Sequence, residues 1–241
     1  PEMPKPQITM MPEQVSERQP LVSPKQFTVT NDYVQLEVQF PLKVISSAVH
    51  NAGMGWYNNF LNRSISPYYN IENVKEETVQ FLLERGFSLT NTVVMLTAVE
   101  ANLVAIRSFH HERFSITIAV TAGVGNAVDV TRTYERQDTP YIGTINTWVI
   151  VNGKLSDEAF YQAMITATEA KTKALAEEDI RDVQTNTIAT GTATDSLLIA
   201  ATQHGEEMPY AGPITDVGKY IGHGVFETTV EAIRKYKQSK N

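Results

Sequence analysis

Short apolar runs that end in corners rich in Gly, Thr and Asn constrain this 241-residue chain more than any other feature. Four polar runs stand out: TAGVGNA (121–127), GTINT (143–147), TATEAKTKAL (166–175) and TGTATD (190–195). Three of them sit where an apolar run ends or begins, which places them in loops at strand ends. Glycine there lets backbone N–H groups approach a ligand, while Thr and Asn supply hydrogen-bonding side chains. The fourth falls inside a helical pattern and carries Lys171 where an apolar residue is expected. Their clustering between residues 121 and 195 points to one assembled site.

The elements around these corners follow from periodicity. Residues 26–30 and 33–40 flank Asn31 and Asp32, a hairpin turn, and 42–49 reads as a third strand running into HNAGMG (50–55). Asn73 and Glu76 have capping-box spacing and open a helix that runs to about Arg85, with Gly86 as its stop. Strands follow at 92–99, 103–109 and 113–121, the last two joined by a tip at His110, His111 and Glu112. In the third of these, Ile116, Ile118 and Val120 alternate with Thr117 and Ala119. Residues 147–151 and 196–202 are strands, and the helix at 156–178 between them makes a strand–helix–strand unit.

A last helix, 215–236, is apolar on two sides: Val217, Ile221, Val225 and Ala232 on one, Phe226, Val230 and Ile233 on another. Such a helix is deeply buried or shared with a second subunit. Strands outnumber helices and most connections are hairpins. The expected class is α+β, one or more mixed and largely antiparallel sheets packed with helices in an α/β sandwich. Six of the eleven prolines fall in the first 24 residues, so 1–24 is expected to be an extended arm, with 25–241 a single domain.

Composition removes several functions. The net charge of −7 comes with no basic cluster before the last few residues, which argues against a nucleic-acid partner. No cysteine is present, so disulfides, thiolate metal sites and a Cys nucleophile are excluded. The longest apolar candidate, 93–106, is broken by Thr97, Glu100 and Asn102, too polar for a membrane span. A soluble cytoplasmic protein is expected. The His110–His111–Glu112 tip is rejected as a metal site, because adjacent residues there point to opposite sides.

Lys171 is the sharpest clue to chemistry. At 100° per residue, Phe160, Met164, Ala167, Ala174 and Leu175 share its helix face, so it must snorkel, meet a carboxylate or face a cavity. Glu169 projects from the opposite face and is either a solvated charge or part of a site between two layers. Asp195 follows Thr190, Gly191, Thr192 and Thr194, which suits an acid, a base, a clamp on ligand amides or an Asx-type turn. Gly123, Gly125 and Asn126 have the makings of a nest of N–H groups, but not the GxGxxG spacing of a dinucleotide site. Asn146 can donate and accept at once, or shape a turn. His50, beside Asn51 and the GMG loop, is a candidate general base or a structural histidine.

Taken together, these runs resemble the adenosylcobinamide amidohydrolase family. The resemblance spans from about Phe27 to the last helix and includes VNGKLS (151–156) after GTINT, ITATEAKTKAL (165–175) and PYAG (209–212). One departure is Ala193, where the family usually has the middle glycine of GTGTD. The resemblance implies a corrinoid salvage enzyme, which hydrolyses the amide joining aminopropanol to the corrin ring of adenosylcobinamide. Adenosylcobyric acid and 1-aminopropan-2-ol are the products. The implied partner is a small-molecule corrinoid that carries its own cobalt, so no cofactor and no protein-held metal are expected.

Under that implication Asp195 or Glu169 serves as base, and Lys171 with the N–H groups around Gly125 and Asn126 stabilises the oxyanion. Asn146, Thr192 and Thr194 hold the peripheral amides, with Gly123, His50 and Asn51 also binding substrate. A homo-oligomer through the C-terminal helix or the N-terminal arm is a further expectation. Two other readings stay open: a non-catalytic corrinoid- or nucleotide-binding module, and a general amidase acting on small amides.

Overall fold

The computed structural model describes residues 21–66, 72–137 and 143–241. In chain order the first half supplies β1 (Phe27–Val29), β2 (Tyr33–Ser46), β3 (Gly53–Ser64), α1 (Val74–Glu84), β4 (Thr92–Thr97), β5 (Ala105–His110) and β6 (Ser115–Ala122). The second half adds β7 (Ala127–Val128), β8 (Ile145–Asn152), β9 (Lys154–Leu155), α2 (Asp157–Glu177), β10 (Gly191–Thr192), β11 (Ser196–Ala201), β12 (Glu207–Met208) and α3 (Asp216–Ser239). The main sheet runs β4-β3-β2-β11-β8-β6-β5, with β1 paired to β2. Only β3–β4 and β8–β11 are parallel within it. The α+β class is the one the periodicity implied.

The sheet does not stay in one layer. Residues 33–37 of β2 pair with 59–63 of β3, whereas 42–46 pair with 53–57 and with β11. Between them the register slips around Pro41, which has no N–H to give to a ladder. The long hairpin thus carries its far half over the rest of the sheet. Phe60, Val93 and Met95 from β3 and β4 then pack on Trp148, Ile150, Leu198 and Ala200 from β8 and β11. On the opposite face Ile118, Val149 and Ile199 bury against α2 and α3. Leu61 and Val94, on the outer side of the far layer, are covered by Phe81 and Leu82 of α1. The result is a helix–sheet–sheet–helix sandwich.

Several local expectations change. Residues 42–49 are not a separate strand but the second half of β2, because the bulge bends the strand without breaking its pairing to β3. The second half of the HNAGMG corner belongs to β3, whose residues 53–64 show no clear alternation because both faces of their outer half are covered. Asn73 stands at the N-cap of α1 without a side-chain cap bond. The cap at α2 is made instead by Ser156, which accepts from the Ala159 N–H. Packing reaches back to Val22, whose backbone exchanges two hydrogen bonds with the Asn152 amide. The rest of the expected arm, 1–20, lies outside the described residues. The two apolar sides of α3 are accounted for within one chain, since it packs on both α2 and the β5–β6 hairpin.

Candidate active site

Strands β8 and β11 run in parallel at the centre of the sheet, joined through α2, which lies across them. The corners that precede the two strands therefore sit side by side. Thr144 donates its hydroxyl to the Thr194 carbonyl at 2.7 Å, and Thr194 donates to the Gly143 carbonyl at 3.1 Å. The third corner joins through Gly123, whose N–H bonds the Thr144 carbonyl at 2.9 Å, and through the β7–β10 ribbon, in which Ala127 faces Thr192. Three of the runs found in the sequence meet at one end of the sheet, and α2 brings the fourth.

Lys171 closes this assembly. Its ammonium donates to Asp195 Oδ2 at 2.6 Å, with the two side chains only 15% and 18% exposed. Asp195 is held from every side: its Oδ2 also accepts from the Thr192 N–H, and its Oδ1 accepts from the Ile145 N–H and the Thr192 hydroxyl. A carboxylate with four donors on two oxygens is fixed in place, and it fixes the lysine. Gly191 makes the contact possible. A Cβ there would stand 2.7 Å from the Lys171 Nζ and closer still to Asp195 Oδ2.

The pair opens on a cavity of about 280 Å³, walled on the α2 side by Met164, Ala167 and Thr168, and on the sheet side by Thr147, Ser196 and Leu197. Ser47, at the end of β2, joins the wall and bonds Ser196 through their hydroxyls. Lys171 and Asp195 are the only titratable side chains among these lining residues. A fixed cation beside apolar walls can stabilise a developing oxyanion, because low local polarity strengthens its field.

The other sequence-derived candidates fall in different places. Glu169 is exposed on the outer side of α2 and lines no part of the cavity. Asn146 points into the sandwich, where its amide donates to Asn62 Oδ1 and the Leu96 carbonyl at 2.7 and 2.8 Å, tying the two sheet layers together. Gly123 and Asn126 buttress Gly143 from below, and Gly125 is exposed; none of the three lines the cavity. Thr192 engages Asp195 with both N–H and hydroxyl, and the Thr194 hydroxyl engages Gly143. His50 and Asn51 both bond the Leu89 carbonyl, anchoring the loop before β4. Ala193 keeps a negative φ, so the backbone there needs no glycine.

A second acidic cluster braces the flank. Burial opposes ionisation of Asp182, but N–H bonds from Asp129, Gln184 and Thr185, with the Arg136 charge, outweigh it and hold the carboxyl below its usual range. Asp129 is lowered by the hydroxyls of Thr187 and Thr131. The two fix the turn after β7 to the segment before β10. Among the described residues no three His, Asp or Glu side chains gather to hold a metal ion, and no helix is long and apolar enough to cross a membrane.

The sequence as a whole matches a known family. The CbiZ family model, described as adenosylcobinamide amidohydrolase, covers residues 19–241. The chain belongs to the adenosylcobinamide amidohydrolase family. It is therefore a hydrolase of amide bonds. An adenosylcobinamide amidohydrolase of Methanosarcina mazei is 31% identical over 175 residues, 71% of this chain and 78% of that one. A Methanocaldococcus jannaschii protein is 29% identical over 199 residues, 74% of this chain and 78% of its own. An ABC transporter ATP-binding protein of Bacillus subtilis is 24% identical over 83% of this chain, but the match spans only 37% of its length. The match to the solved structure of an L-aminopeptidase D-Ala-esterase/amidase from Ochrobactrum anthropi covers 87% of this chain and 82% of that one at 11% identity, with a TM-score of 0.45.

Proposed function

We propose that the Lys171–Asp195 cavity hydrolyses the amide between the corrin ring and aminopropanol in adenosylcobinamide, giving adenosylcobyric acid and 1-aminopropan-2-ol. One observation carries the reading: in a chain of this family, a lysine ammonium locked by a carboxylate faces a cavity with no other titratable group among the described residues of its wall. At about 280 Å³ the cavity lies near the lower limit for ligand pockets, roughly 300–1,000 Å³. It takes the amide arm, and the macrocycle with its cobalt rests outside the mouth.

In this mechanism water adds to the carbonyl carbon, and the C–N bond breaks with the water oxygen retained in the acid. An ammonium has three donors, of which Asp195 takes one. The other two meet the oxyanion and the leaving nitrogen. Lys171 gives a proton to the departing amine and recovers one from the added water, so the enzyme ends as it began. Asp195, already saturated, positions Lys171. Thr192 positions Asp195 in turn, and the exposed Thr194 corner lies at hand for peripheral amides of the corrinoid.

Incubating the purified protein with adenosylcobinamide and separating the products tests the reading. The two expected products, at multiple turnovers, support it. Stoichiometric binding with no product would favour a binding module. Equal turnover of a small amide without any corrin would favour a general amidase.

A further inference from the structure

Thr147 is out of place on its strand. It lies on the helix-facing side of β8 between Ile145 and Val149, both part of the apolar core. Across the sheet it faces Val120 of β6 and Leu197 of β11. The residue is 3% exposed, and its hydroxyl oxygen, itself shielded from solvent, makes no hydrogen bond among the described residues. A valine would fill the same volume without burying an unsatisfied hydroxyl, which is destabilising. Yet this threonine lines the same cavity as Lys171 and Asp195.

We infer that the Thr147 hydroxyl is a catalytic donor: turned one staggered step about χ1 toward the cavity, it hydrogen-bonds the oxyanion of the tetrahedral intermediate from the sheet side, while Lys171 does so from α2. The inference rests on the amide-hydrolysis reading given above. The hydroxyl keeps its proton and forms no bond to carbon, so the stoichiometry of hydrolysis is unchanged. A buried donor without a ground-state partner is prepared for charge that develops only as the carbonyl is attacked.

The molecule contains its own control. Thr229 in α3 is also fully buried with an unpartnered hydroxyl, but lines no part of this cavity. The experiment compares wild type, Thr147→Val, Thr147→Ser and Thr229→Val for adenosylcobinamide hydrolysis and for thermal unfolding. Thr147→Val is expected to lower kcat by roughly 10²–10³-fold, the usual effect of deleting one oxyanion donor, with KM little changed. Thr147→Ser should recover most of that loss. Both valine variants should unfold at higher temperature than wild type, and Thr229→Val should keep full turnover.

Wild-type turnover in Thr147→Val overturns the role of Thr147 alone. Turnover abolished beyond that range, with a corrinoid ester trapped on Thr147 in the wild type, overturns it in favour of a covalent nucleophile. A wild-type protein that releases no product from adenosylcobinamide overturns the underlying reading and this inference with it.

Discussion

Gly191→Ala tests whether the position of the ion pair, rather than its mere presence, governs turnover. The added methyl would stand 2.7 Å from the Lys171 Nζ, where ordinary contact begins at 3.4 Å, so the ammonium must retreat by about 0.7 Å. Asp195 Oδ2 is closer still and must retreat by about 1.1 Å, and the hydrogen bonds that hold it must shift with it, so the ion pair is displaced as a unit. A misplacement of about 1 Å in a catalytic group costs around 10²-fold in rate, which puts the expected loss of kcat between roughly 10- and 100-fold. The backbone should not object, because Gly191 has a negative φ and its pairing with Val128 tolerates a side chain. The assay is steady-state hydrolysis of adenosylcobinamide, with circular dichroism and thermal melting to show that the fold is retained. A folded variant with wild-type kcat would refute the claim that the exact seat of the ammonium matters.

Glu169→Gln should leave both turnover and stability within error of wild type, since the carboxylate stands in solvent on the far side of α2; a kcat loss of tenfold or more in the hydrolysis assay would bring it back as a base. The acidic cluster gives a pH effect. Asp182 has a folded pKa below its unfolded value of about 3.9, so its stabilisation is complete above that pH. It is lost as pH falls from there through the depressed folded value. Asp182→Asn should lower the melting temperature at pH 7 and flatten its decline below about pH 4, as read by melts across a pH series. An unchanged slope would contradict that account.

Much of the site was legible in the sequence because its parts are local. A TGTATD run leading into an apolar strand and a helix with Lys171 in an apolar stripe each announce themselves within a dozen residues. The parallel pairing of β8 and β11 across α2 then brings them together. What could not be read was the face each residue takes. Asn146 and Thr147 are neighbours in one strand, so one must point to the sandwich interior and the other to the helices, and GTINT alone does not say which. The structure turns Asn146 inward, to Asn62, and leaves Thr147 at the cavity. Ser47 and Ser196 were equally hidden, because their meeting depends on the antiparallel register of β2 with β11. A signal for Thr147 did exist: a hydroxyl at a position whose i±2 neighbours, Ile145 and Val149, are both core residues. The line along which the sheet folds into two layers was hidden for a related reason, since the bend in β2 arises from a register shift around Pro41 that only β3 can reveal.

The account stands on Lys171. Rates of adenosylcobinamide hydrolysis by Lys171→Met, measured beside its substrate affinity and its melting temperature, address it directly. The expected result is a loss of kcat of about 10³-fold or more, from the combined removal of an oxyanion donor and a proton source, in a protein that still folds and still binds the corrinoid. A folded Lys171→Met enzyme that releases 1-aminopropan-2-ol at the wild-type rate would contradict it.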